Sequence, residues 1–304
     1  MQRTLGDSPR SHPRARQVEV LGDGSLRVLA PAKINLNLLV GPRRQDGYHS
    51  LDSIVAKVSL YDEVELRPRD DDKLLFAAEG MADSPHEGNL AYRAAVLLSP
   101  EAGGRGAEIR LTKAIPVGRG LGGGSADAAA AIAGLNELWR LGLPASRLAK
   151  IGASLGSDVP LFFGAAASRM TGRGENVEPV RVHPFFAILL LPPFGCSTAA
   201  VYRAFDDAPP EPGEQLDVAA LTGPPSRWRG RLVNQLALAA GRVQPRVAEI
   251  LSELGCALPV PVQLTGSGSA MFLLCDDLAE ARELASMIPS TIDCRKIVVE
   301  GNPW

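Results

Sequence analysis

The run Pro116-Val117-Gly118-Arg119-Gly120-Leu121-Gly122-Gly123-Gly124-Ser125-Ala126-Asp127 leads straight into an apolar series that ends at Trp139. Five glycines in seven residues cost backbone entropy, and they make sense where the chain takes unusual dihedrals or lets a ligand approach its backbone. A glycine-rich loop that opens a helix leaves backbone N–H groups without carbonyl partners, pointing outward at the positive end of the helix dipole. Phosphate oxygens fit that site. Ser125 can cap the helix or offer its hydroxyl to an oxygen, and the alanines behind it are strong helix formers. The run does not end in the Gly-Lys-Ser/Thr of a P-loop, and nothing places it in a dinucleotide-binding unit. A flexible surface turn is the plainer alternative, but a turn needs one or two glycines.

A length of 304 residues admits one large domain or two ordinary ones. With 32 basic and 34 acidic residues and a net charge of −2, there is no electrostatic case for a nucleic-acid or membrane partner, which leaves small-molecule work. Cys196, Cys256, Cys275 and Cys294 stand far apart without CxxC spacing, so they read as reduced thiols of a cytoplasmic protein, with neither a zinc site nor a disulfide frame. The longest apolar run, residues 185–191, is too short to span a bilayer. Residues 1–25 hold Arg3, Arg10, Arg14 and Arg16 among Ser, Gly and Pro with no apolar segment, and read as a disordered tail. Asp7 and Glu19 oppose the alternative of an organelle transit peptide.

Residues 26–40 alternate as a strand, with Ile34, Leu36 and Leu38 on one face and Lys33, Asn35 and Asn37 on the other. A solvated lysine is the ordinary reading, but two asparagines are poor strand formers and imply a demand other than propensity. Asp46-Gly47 suits a tight hairpin turn. Tyr48 and His49 follow it; they can stack on a base and bond its edge, or simply rim the hairpin, and the two readings stand level. Further strands are expected at 54–66 and 108–112, and a helix at 90–98 capped by Asn89.

Past the glycine loop, the pattern predicts a helix over 125–141, stopped by Gly142-Leu143-Pro144, and a second one carrying Leu148, Ile151 and Leu155 and closed by Gly156. Asp158 then falls at a helix-to-strand junction before Leu161-Phe162-Phe163. It is either a local turn cap or a partly buried carboxylate in need of a cation, for which Lys33 is a candidate. A buried strand starting at Pro184 puts a domain boundary near His183. A helix starts around Thr198, and 206–231, rich in Pro, Gly and charge, reads as a mobile loop or irregular insertion. Helices are expected at 232–240, 247–254 and 279–287, and strands at 262–264, 270–274 and 297–300, with Thr265-Gly266-Ser267-Gly268-Ser269 as a second glycine-serine turn.

Three blocks have now accumulated in order: Ala30-Pro31-Ala32-Lys33-Ile34-Asn35-Leu36 with Asp46-Gly47-Tyr48-His49, then 116–126, then Leu264-Thr265-Gly266-Ser267-Gly268-Ser269. Together they closely resemble the GHMP small-molecule kinases, over about residues 26–297. The resemblance implies an α+β fold of two domains, one of the ribosomal-protein-S5-domain-2-like type over 26–182 and a ferredoxin-like one over 183–304, with the active site between them. The first block narrows the implied activity to transfer of the ATP γ-phosphoryl group to the 2-hydroxyl of a cytidylyl methylerythritol, in the non-mevalonate route to isopentenyl diphosphate.

By the same resemblance, Lys33 and Asp158 match the catalytic pair, with Asp158 as general base and Lys33 as charge stabiliser. Pro116, Val117, Gly118, Arg119, Gly120, Leu121, Gly122, Gly123, Gly124, Ser125 and Ala126 match the ATP-phosphate loop. Tyr48 and His49 match cytidine-binding positions, Tyr202 the aromatic on the other face of the base, and Asn35 and Thr198 polar contacts to substrate or phosphate. Magnesium is expected to arrive on ATP, with no protein ligand named. The small-molecule substrate and ATP are the implied partners, with a homodimer left open. Two departures stand out: Arg119 replaces a small residue of the loop, and Ala126 stands where a second serine is common. Homoserine or mevalonate kinase is the nearest rival within the superfamily, but neither substrate has a base to stack on Tyr48 and His49. A nucleotide-binding regulator without catalysis is a further alternative, and the slightly acidic balance opposes RNA binding.

Overall fold

The alternating pattern near the start of the chain becomes two long paired strands on which the rest is built. In the computed structural model, which describes residues 18–80, 86–211, 213–214 and 216–301, the chain runs β1 (Val18–Val20), β2 (Leu26–Arg43), β3 (His49–Arg69), β4 (Leu74–Glu79), α1 (Leu90–Leu98), β5 (Gly106–Thr112), α2 (Gly123–Leu138) and α3 (Ala145–Ala153). It continues with β6 (Ala167–Gly172), β7 (Asn176–Pro179), β8 (Phe185–Leu191), α4 (Thr198–Asp207), α5 (Ala237–Val243), α6 (Pro245–Ala257), β9 (Gln263–Leu264), β10 (Met271–Cys275), α7 (Leu278–Met287) and β11 (Arg295–Gly301).

Strand β3 organises the sheet. It lies antiparallel to β2 along most of its length, to β5 at one end and to β6 at the other, and meets β11 through Val58 and Gly301. Beyond β11 follow β8, β10 and β9, so one 11-stranded sheet runs through the molecule. Helices α1 and α2 cover the first part through small side chains: Ala91, Ala94 and Ala95 sit in one core with Ala128, Ala129, Ala131 and Ile132. Asn89 caps α1, its side chain accepting from the Ala91 N–H at 2.9 Å. A second core gathers α4, α5, α6 and α7 against β8 and β10.

Several expectations need correction. Strand β1 and the turn after it occupy 18–25, so that part of the expected disordered tail is ordered; residues 1–17 lie outside the described residues. The strand expected to carry Leu161-Phe162-Phe163 is a 3-10 turn, Val159–Phe163, with Pro160 near its start and Asp158 at its N-cap. Residues 232–236 are not helical. They run along β2, with Leu38 N–H bonding Val233 O at 2.8 Å and Val233 N–H bonding Asn37 Oδ1 at 3.0 Å, so their backbone is already committed to β2.

The 206–231 segment, of which Pro212 and Gln215 lie outside the described residues, is not a mobile loop where it is described. It starts in α4, and Leu216, Leu221 and Trp228 are buried in the core with Phe185, Leu189 and Phe272. The Trp228 indole N–H reaches Gly223 O at 2.9 Å. Burial of three large apolar side chains holds the segment down despite its polar composition.

Candidate active site

The glycine loop is wedged between β2 and the second glycine-serine turn. Gly122 caps α2 in the left-handed region, with φ at 72°, and a Cβ there would stand 2.9 Å from the Lys33 Cγ. A Cβ on Gly120 would run into the Thr265 carbonyl oxygen. Close approach, rather than flexibility, is what these glycines provide. The loop is pinned by its own backbone: Lys33 N–H bonds Leu121 O at 2.9 Å, Ala270 N–H bonds Arg119 O at 3.1 Å, and Cys196 N–H bonds Gly118 O at 3.4 Å. Behind it, the first turn of α2 presents the N–H groups that a helix cannot satisfy internally. Ala126 does not share that role. Its side chain is buried off the cleft wall, and its N–H is spent on Gly122 O at 3.0 Å.

A cleft of about 950 Å³ opens above the loop, and Lys33, Asn35, Tyr48, His49, residues 116–125, Asp158, Thr198 and Tyr202 all border it. Lys33 is buried, with Nζ donating to Asn35 Oδ1 at 2.6 Å. Burial holds its ammonium below the usual lysine range, and the negative charge of Asp158 pulls in the opposite direction. Asp158 arrives from the other side of the domain, on the turn between α3 and the 3-10 segment. Asn35 is occupied within the protein. Its carbonyl also accepts from Thr265 Oγ1 at 3.3 Å, and its amide donates to Ser53 Oγ at 2.8 Å. Both ends of its side-chain amide thus have protein partners at the cleft wall.

Part of the cleft wall is aromatic. His49 lies 5.4 Å from Tyr202, ring to ring, and edge-on to Phe205 at 5.7 Å. Its Nδ1 faces Gly41 O at 2.9 Å and its Nε2 faces Asp206 Oδ1 at 3.0 Å, so both ring nitrogens already have protein partners. Tyr48 stands exposed at the mouth, with the Arg173 guanidinium 4.7 Å from its ring centroid. Tyr202 is half-buried, and burial, reinforced by the Asp158 charge, pushes its phenol well above the tyrosine range. Thr198, the first residue of α4, hydrogen-bonds Ser267 at 2.9 Å, hydroxyl to hydroxyl.

Sequence reasoning missed a buried ionic cluster at the base of the loop. Lys113 Nζ reaches Asp62 Oδ2 and, at 2.6 Å, Asp127 Oδ2, and all three side chains are almost wholly buried. Asp62 also accepts the N–H groups of Ala114 and Ile115 at 2.6 and 2.8 Å. Burial drives the Asp127 carboxyl well above the usual carboxylate range, opposed by Lys113 and reinforced by Asp62. An aspartate inside an alanine run was the available signal; Asp206, the partner of His49, gave none.

Two family models match the chain, the GHMP kinases N terminal domain over 89–165 and the GHMP kinases C terminal over 222–293. A 4-diphosphocytidyl-2-C-methyl-D-erythritol kinase of Pelotomaculum thermopropionicum is 42% identical over 283 residues, 91% of this chain and 99% of that protein. One from Thermobifida fusca is 38% identical over 92% of this chain and 96% of its own length. A crystal structure of a 4-(cytidine 5'-diphospho)-2C-methyl-D-erythritol kinase superposes with a TM-score of 0.77 at 34% identity, covering 91% of this chain and 99% of that one.

Proposed function

The chain belongs to the GHMP kinases and, among them, to the 4-diphosphocytidyl-2-C-methyl-D-erythritol kinases; from that membership we propose how its cleft works. The enzyme is an ATP-dependent kinase that phosphorylates the 2-hydroxyl of 4-diphosphocytidyl-2-C-methyl-D-erythritol in the non-mevalonate route. What supports a division of labour within it is one observation: the α2 glycine loop, the His49–Tyr202 pair, Lys33 and Asp158 all border a single cleft.

In this reading the triphosphate lies on the N–H groups that open α2, with residues 116–125 around it. The cytidine end lies at Tyr48, His49 and Tyr202, where a base has an aromatic neighbourhood and Asp206 fixes the imidazole. Asp158 takes the proton of the attacking hydroxyl as the oxygen bonds the γ-phosphorus, and the bond to ADP breaks with its electron pair leaving on ADP. Lys33, oriented by Asn35, places its charge beside the group in transfer. Thr198 supplies a hydroxyl at the start of α4.

Magnesium fits as an ion carried by the nucleotide. Among the described residues no group of three or more acidic, His or Cys side chains could cage it. Of the cleft carboxylates, Asp206 is engaged by His49 and Asp127 by Lys113. The Ser125 hydroxyl would be left to join a shell of phosphate and water, where the ion would neutralise phosphate charge. The reading keeps the domain division near His183, with α4, α5, α6 and α7 packed on β8 and β10 in a core that also takes in Leu38 and Val40 of β2, and a reducing cytoplasm, which suits four free thiols.

The test is ADP release coupled to a reporter, with the cytidylyl substrate, homoserine and mevalonate in parallel. Release that depends on the cytidylyl substrate is expected. Equal release with homoserine or mevalonate, or none with any of the three, would contradict the reading.

A further inference from the structure

Arg119 is the residue of the glycine loop whose side chain the mechanism above leaves without a task. Its backbone is fixed, the carbonyl accepting from Ala270 N–H at 3.1 Å. Arg119 borders the cleft, and its side chain runs toward the segment that enters α4, with Nη1 at 3.5 Å from where a Cβ on Gly195 would stand. The guanidinium has five N–H donors. Among the described residues it makes one hydrogen bond, from Nη1 to Ser269 Oγ at 3.3 Å, and Ser269 in turn donates to Phe194 O. Nε is buried and has no partner. Among the described residues no carboxylate pairs with the charge, and burial depresses its pKa with Cys196 offsetting the effect.

A guanidinium at a cleft wall with a buried Nε unmet is costly unless a ligand draws the side chain into hydrogen bonds. Aspartate or glutamate would be the usual internal answer, and neither pairs with Arg119 among the described residues. The planar donor fork matches the oxygens of a phosphate. The start of α4 lies alongside, its Cys196 N–H bonded to Gly118 O at 3.4 Å, so a second helix N-terminus flanks the same corner.

We propose that Arg119 is a ligand-binding residue whose guanidinium takes a phosphate oxygen of a molecule seated in the cleft, in a corner formed with Ser269 and the start of α4. The inference deepens the functional reading and rests on it only in taking the cleft's ligands to carry phosphate. Two sources present that chemistry, the triphosphate of ATP and the diphosphate of the cytidylyl substrate. An uncharged side chain at position 119 leaves either of them with one donor fewer.

The experiment is calorimetric titration of the full chain and of Arg119→Ala, Arg119→Gln and Arg119→Lys with ATP, adenosine, CDP and cytidine. Arg119→Gln keeps an amide for Ser269 and serves if the alanine variant does not fold. The expected result is a roughly 10- to 100-fold loss for a nucleotide, the scale of a hydrogen bond to a charged group. The matching nucleoside should be unchanged, and the lysine variant should recover part of the loss. Loss confined to ATP puts the guanidinium on the donor, and loss confined to CDP puts it on the acceptor. Unchanged ATP and CDP affinities, or equal losses for nucleosides and nucleotides, overturn the proposal. If the unaltered enzyme binds ATP and CDP but turns over no cytidylyl substrate, the functional reading fails while the arms for Arg119 still decide this one.

Discussion

Lys57 offers a prediction whose size follows from its surroundings. It lies on β3 opposite Lys33, its side chain fully buried, and Nζ donates to Phe162 O at 3.4 Å and Gly164 O at 2.9 Å. Those carbonyls close the 3-10 turn whose first residue follows Asp158, so this buried amine braces the carboxylate from behind. Burial alone brings its pKa from 10.5 to about 8. An unfolded lysine keeps its proton up to its ordinary value, whereas the folded one releases it near 8. Between those two values the unfolded chain binds more protons, so stability rises with pH and is flat below the window. At about 1.4 kcal/mol per pH unit the full effect is about 3 kcal/mol, of which about 2 kcal/mol falls between pH 7 and pH 9.5. Lys57→Met removes the titrating group and costs the two carbonyl contacts at every pH. Urea unfolding of both proteins across that range should show the stability difference shifting by that amount in favour of the unaltered chain. A difference that stays level from pH 7 to pH 9.5 would refute the reasoning.

Gly122→Ala forces a side chain into the left-handed region against Lys33, and should cost about 1–2 kcal/mol in stability; the ATP dissociation constant should rise roughly tenfold, read by titration. Lys113→Met leaves the buried Asp62 carboxylate and the Asp127 carboxyl without their shared cation and should destabilise the fold by about 3–5 kcal/mol in urea unfolding. Adding Asp62→Asn to it should restore part of that loss. Tyr48→Ala should weaken the cytidylyl substrate more than ATP, and equal losses in the two titrations would remove the base from the cleft mouth.

Much of the site was legible because its signals are local. The alternation around Lys33 and Asn35, the five clustered glycines and the Asn89 cap are each set by neighbours in sequence, and each falls where the pattern put it. The contacts that were missed join distant positions. Lys113 meets Asp62 across 51 residues, and Asn35 meets Thr265 across 230. Nothing in periodicity announces that Asn35 will be used up by Lys33 and Ser53. The 206–231 segment misled for a related reason: Leu216, Leu221 and Trp228 follow neither helical nor strand spacing, so their shared burial is a tertiary fact. Residues 232–236 gave a helical pattern that the hydrogen bonds offered by β2 override.

The central claim is that Asp158 removes the proton of the attacking hydroxyl in the cleft that the glycine loop closes. Single-turnover phosphorylation of the cytidylyl substrate by Asp158→Asn, with ATP and substrate dissociation constants measured on the same protein, tests it most directly. The account predicts a rate lower by roughly 10²- to 10⁴-fold with both constants nearly unchanged. A variant that binds both ligands and keeps nearly the full rate would contradict it.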